Sequence, residues 1–296
     1  MNNPASPATG DNPLQGILWL SLALICFAIM NTGVKYLVDF RQMPVTEVVW
    51  GRYVFHLLLI ILIFPRRAHR LLESDKKHIQ IIRSFLVMAA TLCTFTSLQY
   101  IQLADMVSIS FTAPLMVTGL SVWLLKEKVG IRRWIAVIVG LCGVLVIVQP
   151  GGSGFHWAMI LPVGMAFFLA WYQITTRIIR GAAPPINSLF YTALLGALAM
   201  TVILPFNFRW PEPLEWGVMV MTGFFGGLGH FLIIRAFERA EASTLAPYSY
   251  TELIWVTLFG IMFFDKIPSE HTMIGAAIII ASGCYVFYRD RLKSRR

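Results

Sequence analysis

The sequence predicts an all-α membrane protein of ten transmembrane helices, built as two inverted five-helix repeats, and three observations predict it. First, 57% of the 296 residues are hydrophobic and only 13% are charged, with a mean hydropathy of +0.69. A soluble domain carries roughly 25% charged residues, so this chain lacks the polar surface that a water-exposed globule needs. Second, apolar runs of spanning length recur along the whole chain with only short gaps between them. Third, the two halves of the chain match each other, feature by feature and in the same order.

A spanning helix needs ~20 mostly apolar residues. Runs of that kind lie at about 15–38, 44–64, 79–100, 103–125, 132–149, 155–177, 185–206, 214–237, 241–264 and 271–288. Pro65, Pro150-Gly151-Gly152, the stretch Gly181 to Pro185, Pro211, Pro213 and Pro268 punctuate the gaps. No gap is long enough for a soluble catalytic domain. Residues 1–14 are rich in Asn, Pro and small residues and read as a disordered tail. They hold no Lys or Arg, and the first apolar run exceeds a signal-peptide core, so the first span is expected to stay in the protein. The organisation that follows is a first repeat over 15–150 (spans one to five), a second over 155–288 (spans six to ten), and a basic tail over 289–296.

The formal charge of +9 suggests nucleic acid at first sight, but the basic residues sit in the gaps between apolar runs. Of the 24 Lys and Arg residues, nineteen fall on one side of the expected membrane. Lys35, Arg41, Arg209 and Lys266 fall on the other, and Arg52 lies within a span. The basic-rich side is cytoplasmic, so both termini are expected there, which also requires an even number of spans. The four cysteines (Cys26, Cys93, Cys142, Cys284) lie in apolar runs without a CxxC pair, and neither a zinc site nor a disulfide framework is indicated.

Leu103-Ala104-Asp105 opens span four and Glu127 closes it, as Glu241-Ala242-Ser243 opens span nine and Asp265 closes it. The same offset sets Ala104 against Ala242, Pro114 against Glu252, and Glu127 against Asp265. Leu141 to Val144 then matches Ala281 to Cys284, while Asn31 and Lys35 align with Gln173 and Arg177. A duplicated unit with an odd number of spans inserts with opposite topology, which is the inverted-repeat plan of secondary transporters.

The series Leu103-Ala104-Asp105, Pro114, Glu127 and a glycine-containing fifth span, repeated in the second half, resembles the EamA domain of the drug/metabolite transporter superfamily. The resemblance covers essentially everything after residue 14. The segment Ala246-Pro247-Tyr248-Ser249-Tyr250-Thr251-Glu252-Leu253-Ile254-Trp255 is similar to a branch that includes S-adenosylmethionine and riboflavin carriers. Related members export amino acids or amino-acid-derived metallophores. The resemblance implies a bacterial inner-membrane protein that takes a small-molecule substrate, sits in membrane lipid, and uses neither a cofactor nor nucleic acid. Pro114 stands where the second half has Glu252, so a charged site there is one-sided.

An ionisable side chain deep in a bilayer is costly unless it meets a partner or a water-filled cavity. Glu252 lies ~16 Å into span nine and Arg52 ~12 Å into span two. They are expected either to form an ion pair or to line a polar cavity. His230 and His56 lie within spans eight and two, where a hydrogen-bonded interior role competes with proton relay. Tyr248, Glu252 and Trp255 share one helical face at i, i+4 and i+7. With Tyr250, Trp171, Asn31 and Gln173 they complete the candidate substrate-binding set of Glu252, Arg52 and His230. Lys35 is expected to snorkel, and Gly223, Gly226, Gly227 and Gly229 to form a face for close helix contact. No HExxH, Walker A or G-x-S-x-G sequence is present, and no catalytic or metal-binding residue is expected. The expected activity is secondary or facilitative transport of a small polar, zwitterionic, amino-acid-derived metabolite by alternating access. A riboflavin-type vitamin carrier and a lipid or lipid-linked-sugar flippase remain alternatives.

Overall fold

The computed structural model describes residues 12–294 apart from 66–70, 125–129, 153, 179–183, 241–244 and 246–247. Among the described residues the protein is all helical and contains no strand. Its elements are α1 (Pro13–Lys35, continued by a π turn over Tyr36–Phe40), α2 (Val45–Ile63), α3 (Lys77–Leu98), α4 (Leu103–Ser110), α5 (Ala113–Leu124) and α6 (Ile131–Val148). They are followed by α7 (Ile160–Ile178), α8 (Pro185–Ile203), α9 (Pro213–Arg239), α10 (Glu252–Phe264) and α11 (Glu270–Ser294). Seven stretches are long and apolar enough to cross a membrane: Pro13–Phe40, Val45–Ile63, Lys77–Leu98, Leu103–Leu124, Trp157–Thr176, Ile186–Phe206 and Pro213–Arg239. Trp134–Val148 and Glu252–Phe264 are apolar but shorter. The chain is a multi-pass membrane protein. Most of the expected disordered tail lies outside the described residues, and α1 already begins at Pro13. At the other end, helix continues past the expected boundary at 288 to Ser294.

Helix starts follow from the residues placed there. Asn12 accepts from the Gln15 N–H and Pro13 takes the first position of α1. Prolines also open α8 and α9, where a missing N–H costs nothing because the first turn has no internal acceptor. Glu212 and Glu215 add a reciprocal capping box at α9.

Span four is not one helix, as the apolar run over 103–125 suggested. It breaks at Phe111–Thr112 into α4 and α5. Pro114 is the cause: its ring and missing N–H cannot continue a helix past the carbonyl of residue 110. The Thr112 hydroxyl adds a second hydrogen bond, at 2.7 Å, to the Ile109 carbonyl, which already accepts from the Thr112 N–H at 3.1 Å. The described part of span nine is interrupted in the same way. Tyr250 and Thr251 form a turn, the Thr251 hydroxyl bonds the Tyr248 carbonyl at 2.7 Å, and α10 begins at Glu252. The lead residues of the two repeat signatures fare differently: Asp105 is buried on α4 against Thr272 of α11, while Glu127 and Glu241 to Ser243 lie outside the described residues.

Lys35 does not snorkel. It is 5% exposed, and its Nζ donates to Asp39 at 2.8 Å and to the carbonyls of Leu98 and Ile101 at 3.1 and 2.9 Å. Those carbonyls end α3, where a cation is electrostatically favoured. Lys35 thereby clamps the far end of α1 to the far end of α3.

Helix α9 packs along α1 and α2, α3 packs along α7 and α8, α2 meets α8, and α6 lies against α11. The α9 contacts depend on its glycines. A Cβ at Gly223 would stand 2.4 Å from the Phe55 Cβ and 3.2 Å from the Arg52 carbonyl oxygen. At Gly227 it would stand 2.7 Å from the His56 ring, and at Gly229 2.8 Å from Phe27. The backbone of α2 therefore lies directly on α9, with no rotamer available to yield. Gly223→Ala is accordingly expected to cost about 1–3 kcal/mol through overpacking. Gly217→Ala, where a Cβ meets nothing within 4 Å, should stay within about 0.5 kcal/mol of the parent. Unfolding of both variants in mild detergent checks this, and equal losses would contradict it.

Candidate functional site

The close approach of α2 to α9 sets Arg52 inside the bundle, only 6% exposed. Its Nη1 donates to the Thr91 hydroxyl on α3, and its Nη2 lies 3.4 Å from His230 Nε2 on α9. The guanidinium lies 5.2 Å from the Tyr53 ring centroid and 5.5 Å from that of Phe95, within range of cation–π attraction. The Tyr53 hydroxyl shares Thr91 at 3.0 Å. His230 is in turn stacked on His56, centroids 6.2 Å apart, and edge-on to Phe27 at 5.0 Å. Arg52 Nε has no partner among the described residues.

A second guanidinium, which the sequence counted among the inner-loop cations, is also interior. Arg83 lies in the second turn of α3 and is 4% exposed. It donates to Thr176 at 2.7 Å, the Tyr172 hydroxyl at 2.6 Å and the Gln80 amide oxygen at 3.1 Å. Its charge centre is 4.5 Å from the Tyr172 centroid. The signal was present in the sequence, because position 83 falls within the run 79–100. Removing it from the inner loops leaves the basic asymmetry intact.

Glu252 opens α10 as its first residue and is half-buried. The expected Arg52–Glu252 ion pair does not form. Among the described residues no salt bridge reaches either side chain, and Arg52 uses neutral partners instead. The expected aromatic face is also interrupted, because the turn at Tyr250–Thr251 separates Tyr248 from Glu252 and Trp255. Tyr248 is exposed, and Trp255 packs beside Leu20 and Leu24 of α1 and Ala236 of α9. The Tyr250 ring is edge-on to Phe111 at 5.0 Å and fills the gap beside Gly283, where a Cβ would stand 1.7 Å from its hydroxyl. Trp171 is edge-on to Trp123 and Phe167. Asn31 is buried with its Oδ1 unpartnered among the described residues, and Gln173 is half-buried on α7. Arg52 and His230 thus come together, while the six aromatic and amide candidates do not join them in one cluster.

The end of the bundle holding the α1–α2 and α8–α9 connections is closed by charge. Fully buried Glu215 accepts from Arg41 Nε at 2.9 Å, Arg209 Nη2 at 2.7 Å and the Glu212 N–H at 2.8 Å. Arg41 also pairs with Glu212, and the Arg209 N–H donates to fully buried Glu47 at 3.2 Å.

Helices of spanning length around a buried polar and cationic interior define a multi-pass membrane protein. A family model confirms the class: EamA-like transporter family matches residues 14–149 and again 156–288. The chain belongs to that family, within the drug/metabolite transporters. It is similar to a riboflavin transporter of Vibrio cholerae, 29% identical over 96% of this chain and 97% of that one. It is also similar to an S-adenosylmethionine uptake transporter of Rickettsia bellii, 25% identical over 93% and 94%. A riboflavin transporter of Rhizobium johnstonii is 22% identical over 100% and 98%. A solved crystal structure shares the fold, with a TM-score of 0.62 at 17% identity over 92% of this chain and 98% of the other.

Thr91→Val removes the hydroxyl that both Arg52 and Tyr53 use and keeps the side-chain shape. The loss leaves a buried charged donor short of an acceptor and is expected to cost about 1–3 kcal/mol. Thr94→Val, whose hydroxyl bonds only the Ala90 carbonyl, should cost less. Detergent unfolding of the two variants, compared side by side, is the check.

Proposed function

We propose that this protein is a secondary or facilitative carrier that moves a small polar, zwitterionic, amino-acid-derived metabolite across the bacterial cytoplasmic membrane. The substrate is of the S-adenosylmethionine or metallophore kind. Transport proceeds by alternating access of two inverted five-span halves, with both termini in the cytoplasm. The observation that carries the reading is the paired interruption of spans four and nine. Discontinuous helices at matching positions of two halves mark the binding region of inverted-repeat carriers. Here the second half-helix starts at Ala113-Pro114 in one repeat and at Glu252 in the other. Both residues suit a first helical turn, Pro114 because it needs no acceptor and Glu252 because the helix dipole favours a carboxylate there.

The packing pattern supports the same symmetry. If spans one to five correspond to six to ten, the α1–α9 contact is the mate of the α7–α3 contact, and α2–α9 is the mate of α8–α3. Contacts α2–α8 and α6–α11 are their own mates. The domains assigned from sequence, 15–150 and 155–288, are these two halves. In this frame the Arg41–Glu215–Arg209–Glu47 network lies on the outer side. The absence of an Arg52–Glu252 bridge favours substrate binding, because neither charge is neutralised by the other. Arg52 and His230, which the fold brings together, form the core of the proposed site; Glu252, Asn31, Gln173, Tyr248, Tyr250, Trp171 and Trp255 are proposed to meet the substrate elsewhere along its path. The Vibrio cholerae relative favours a second reading, a riboflavin carrier.

Two results test this reading. Reporters fused after Arg296 are expected to be active only when the tail is cytoplasmic, and activity confined to the outer side would exclude the topology. Glu252→Gln should fold normally, since no cation is left unpaired, and should transport without the pH dependence of the parent. Uptake and efflux of S-adenosylmethionine and riboflavin in proteoliposomes between pH 5 and 8 measure it. Full, still pH-dependent transport by that variant would remove Glu252 from the mechanism.

A further inference from the structure

The interior of this bundle carries uncompensated positive charge. Arg52 and Arg83 both sit within spanning helices, almost fully buried, and every partner that either makes is neutral: hydroxyls, an amide, an imidazole and aromatic rings. Three other buried or half-buried cations, by contrast, are paired with carboxylates. Lys35 has Asp39, while Arg41 and Arg209 share Glu215. A guanidinium cannot shed its proton, so two fixed charges stand in a medium that disfavours them. Glu252 forms an ion pair with neither among the described residues.

Donor counting points the same way. A guanidinium offers five N–H groups. Arg52 spends Nη1 on Thr91 and directs Nη2 at His230, leaving Nε–H buried and without a partner among the described residues. Its planar fork suits an oxyanion better than it suits single hydroxyls. Along α3, Arg83 is eight residues from Thr91, the residue that holds Arg52, or ~12 Å. Both charges thus stand on partners along the same helix, with one able to grip an anionic group and the other adding to the field.

We propose that the transported metabolite carries an oxyanion, a carboxylate or a phosphate, and that Arg52 and Arg83 bind it. The proposal rests on the carrier reading and narrows it: a substrate of either named kind is selected by its anionic group, and an uncharged counterpart is discriminated against.

The test is ligand binding to the purified full chain in lipid nanodiscs, followed by tryptophan fluorescence and thermal melting. Two matched pairs serve as probes: S-adenosylmethionine with its decarboxylated analogue, and riboflavin 5′-phosphate with riboflavin. In each pair the members differ by the oxyanion. The anionic member is expected to bind about tenfold or more tightly, the effect of a hydrogen bond to a charged group. Arg52→Gln and Arg83→Gln should each erase that preference, and Arg83→Lys should keep most of it. A pair preference for carboxylate alone or for phosphate alone identifies which oxyanion the site takes. Ligand-free melting separates binding from bracing. Loss of one of two unneutralised charges should leave the melting temperature unchanged or raise it, whereas a brace from Arg83 to Tyr172 and Thr176 would lower it. If one glutamine variant fails to fold, the other and Arg83→Lys decide. Equal affinities within both pairs, or a preference that survives both glutamine variants, overturn the proposal. If none of the four probes binds, malate and inorganic phosphate settle it. Arginine-dependent stabilisation by either supports an oxyanion site while removing the proposed substrates, and no stabilisation by any probe overturns the site.

Discussion

The organisation of the interior depends on one constraint: a guanidinium at Arg52 is held inside a lipid-soluble bundle without a carboxylate to neutralise it. Hydroxyl, imidazole and aromatic partners from α2, α3 and α9 have to converge on it, and only a very close α2–α9 contact lets them. Gly223, Gly226 and Gly227 supply that contact. A Cβ at Gly226 would lie 3.4 Å from Arg52 Nε and 3.0 Å from the Met30 sulfur, so α1 also closes on the same spot. Burying a charge this way is costly, and packing alone gives no reason to retain it. Receiving an anionic solute, as proposed above, does.

The second constraint is that a helix can break in lipid only where its freed backbone groups are satisfied. At Thr112 and at Thr251 both the N–H and the hydroxyl of a threonine turn back onto the carbonyl three residues earlier. The breaks create two half-helix starts in the interior of the bundle. Rigid closure is found at one end, where Glu215 ties Arg41 and Arg209 together. Toward the other end Lys76 donates to the Ile178 carbonyl, Asn187 to that of Glu73 and Tyr191 to that of Leu72.

Much of this was legible in the sequence because hydropathy and helix length are local properties. Composition identified a membrane protein, and the repeat signature identified the family. The glycine face of α9 was visible as spacing alone. What escaped was decided by partners distant in sequence. Lys35 reads as a snorkelling residue until the end of α3 is seen beside it, and Arg83 reads as a loop cation because it follows Lys76 and Lys77 by one turn and a half. The Tyr248–Glu252–Trp255 stripe assumed a continuous helix. Pro247, four residues before Thr251 and outside the described residues, was a local signal against a continuous span nine, as Pro114 was against a continuous span four. The absent Arg52–Glu252 pair could not be read from charge and depth, since both residues satisfy the depth criterion without facing each other.

Alternating access from a single interior site is tested most directly by a thiol placed beside Glu252. In a background with Cys26, Cys93, Cys142 and Cys284 changed to serine, Thr251→Cys is exposed to membrane-impermeant reagents from each face of oriented vesicles. A carrier predicts that blocking from one face removes a complementary share of labelling from the other, and that Glu215→Gln, which loosens the charge network, shifts the share toward the outer face. Rapid and complete labelling from both faces at once, as in an open pore, or none from either, would contradict it.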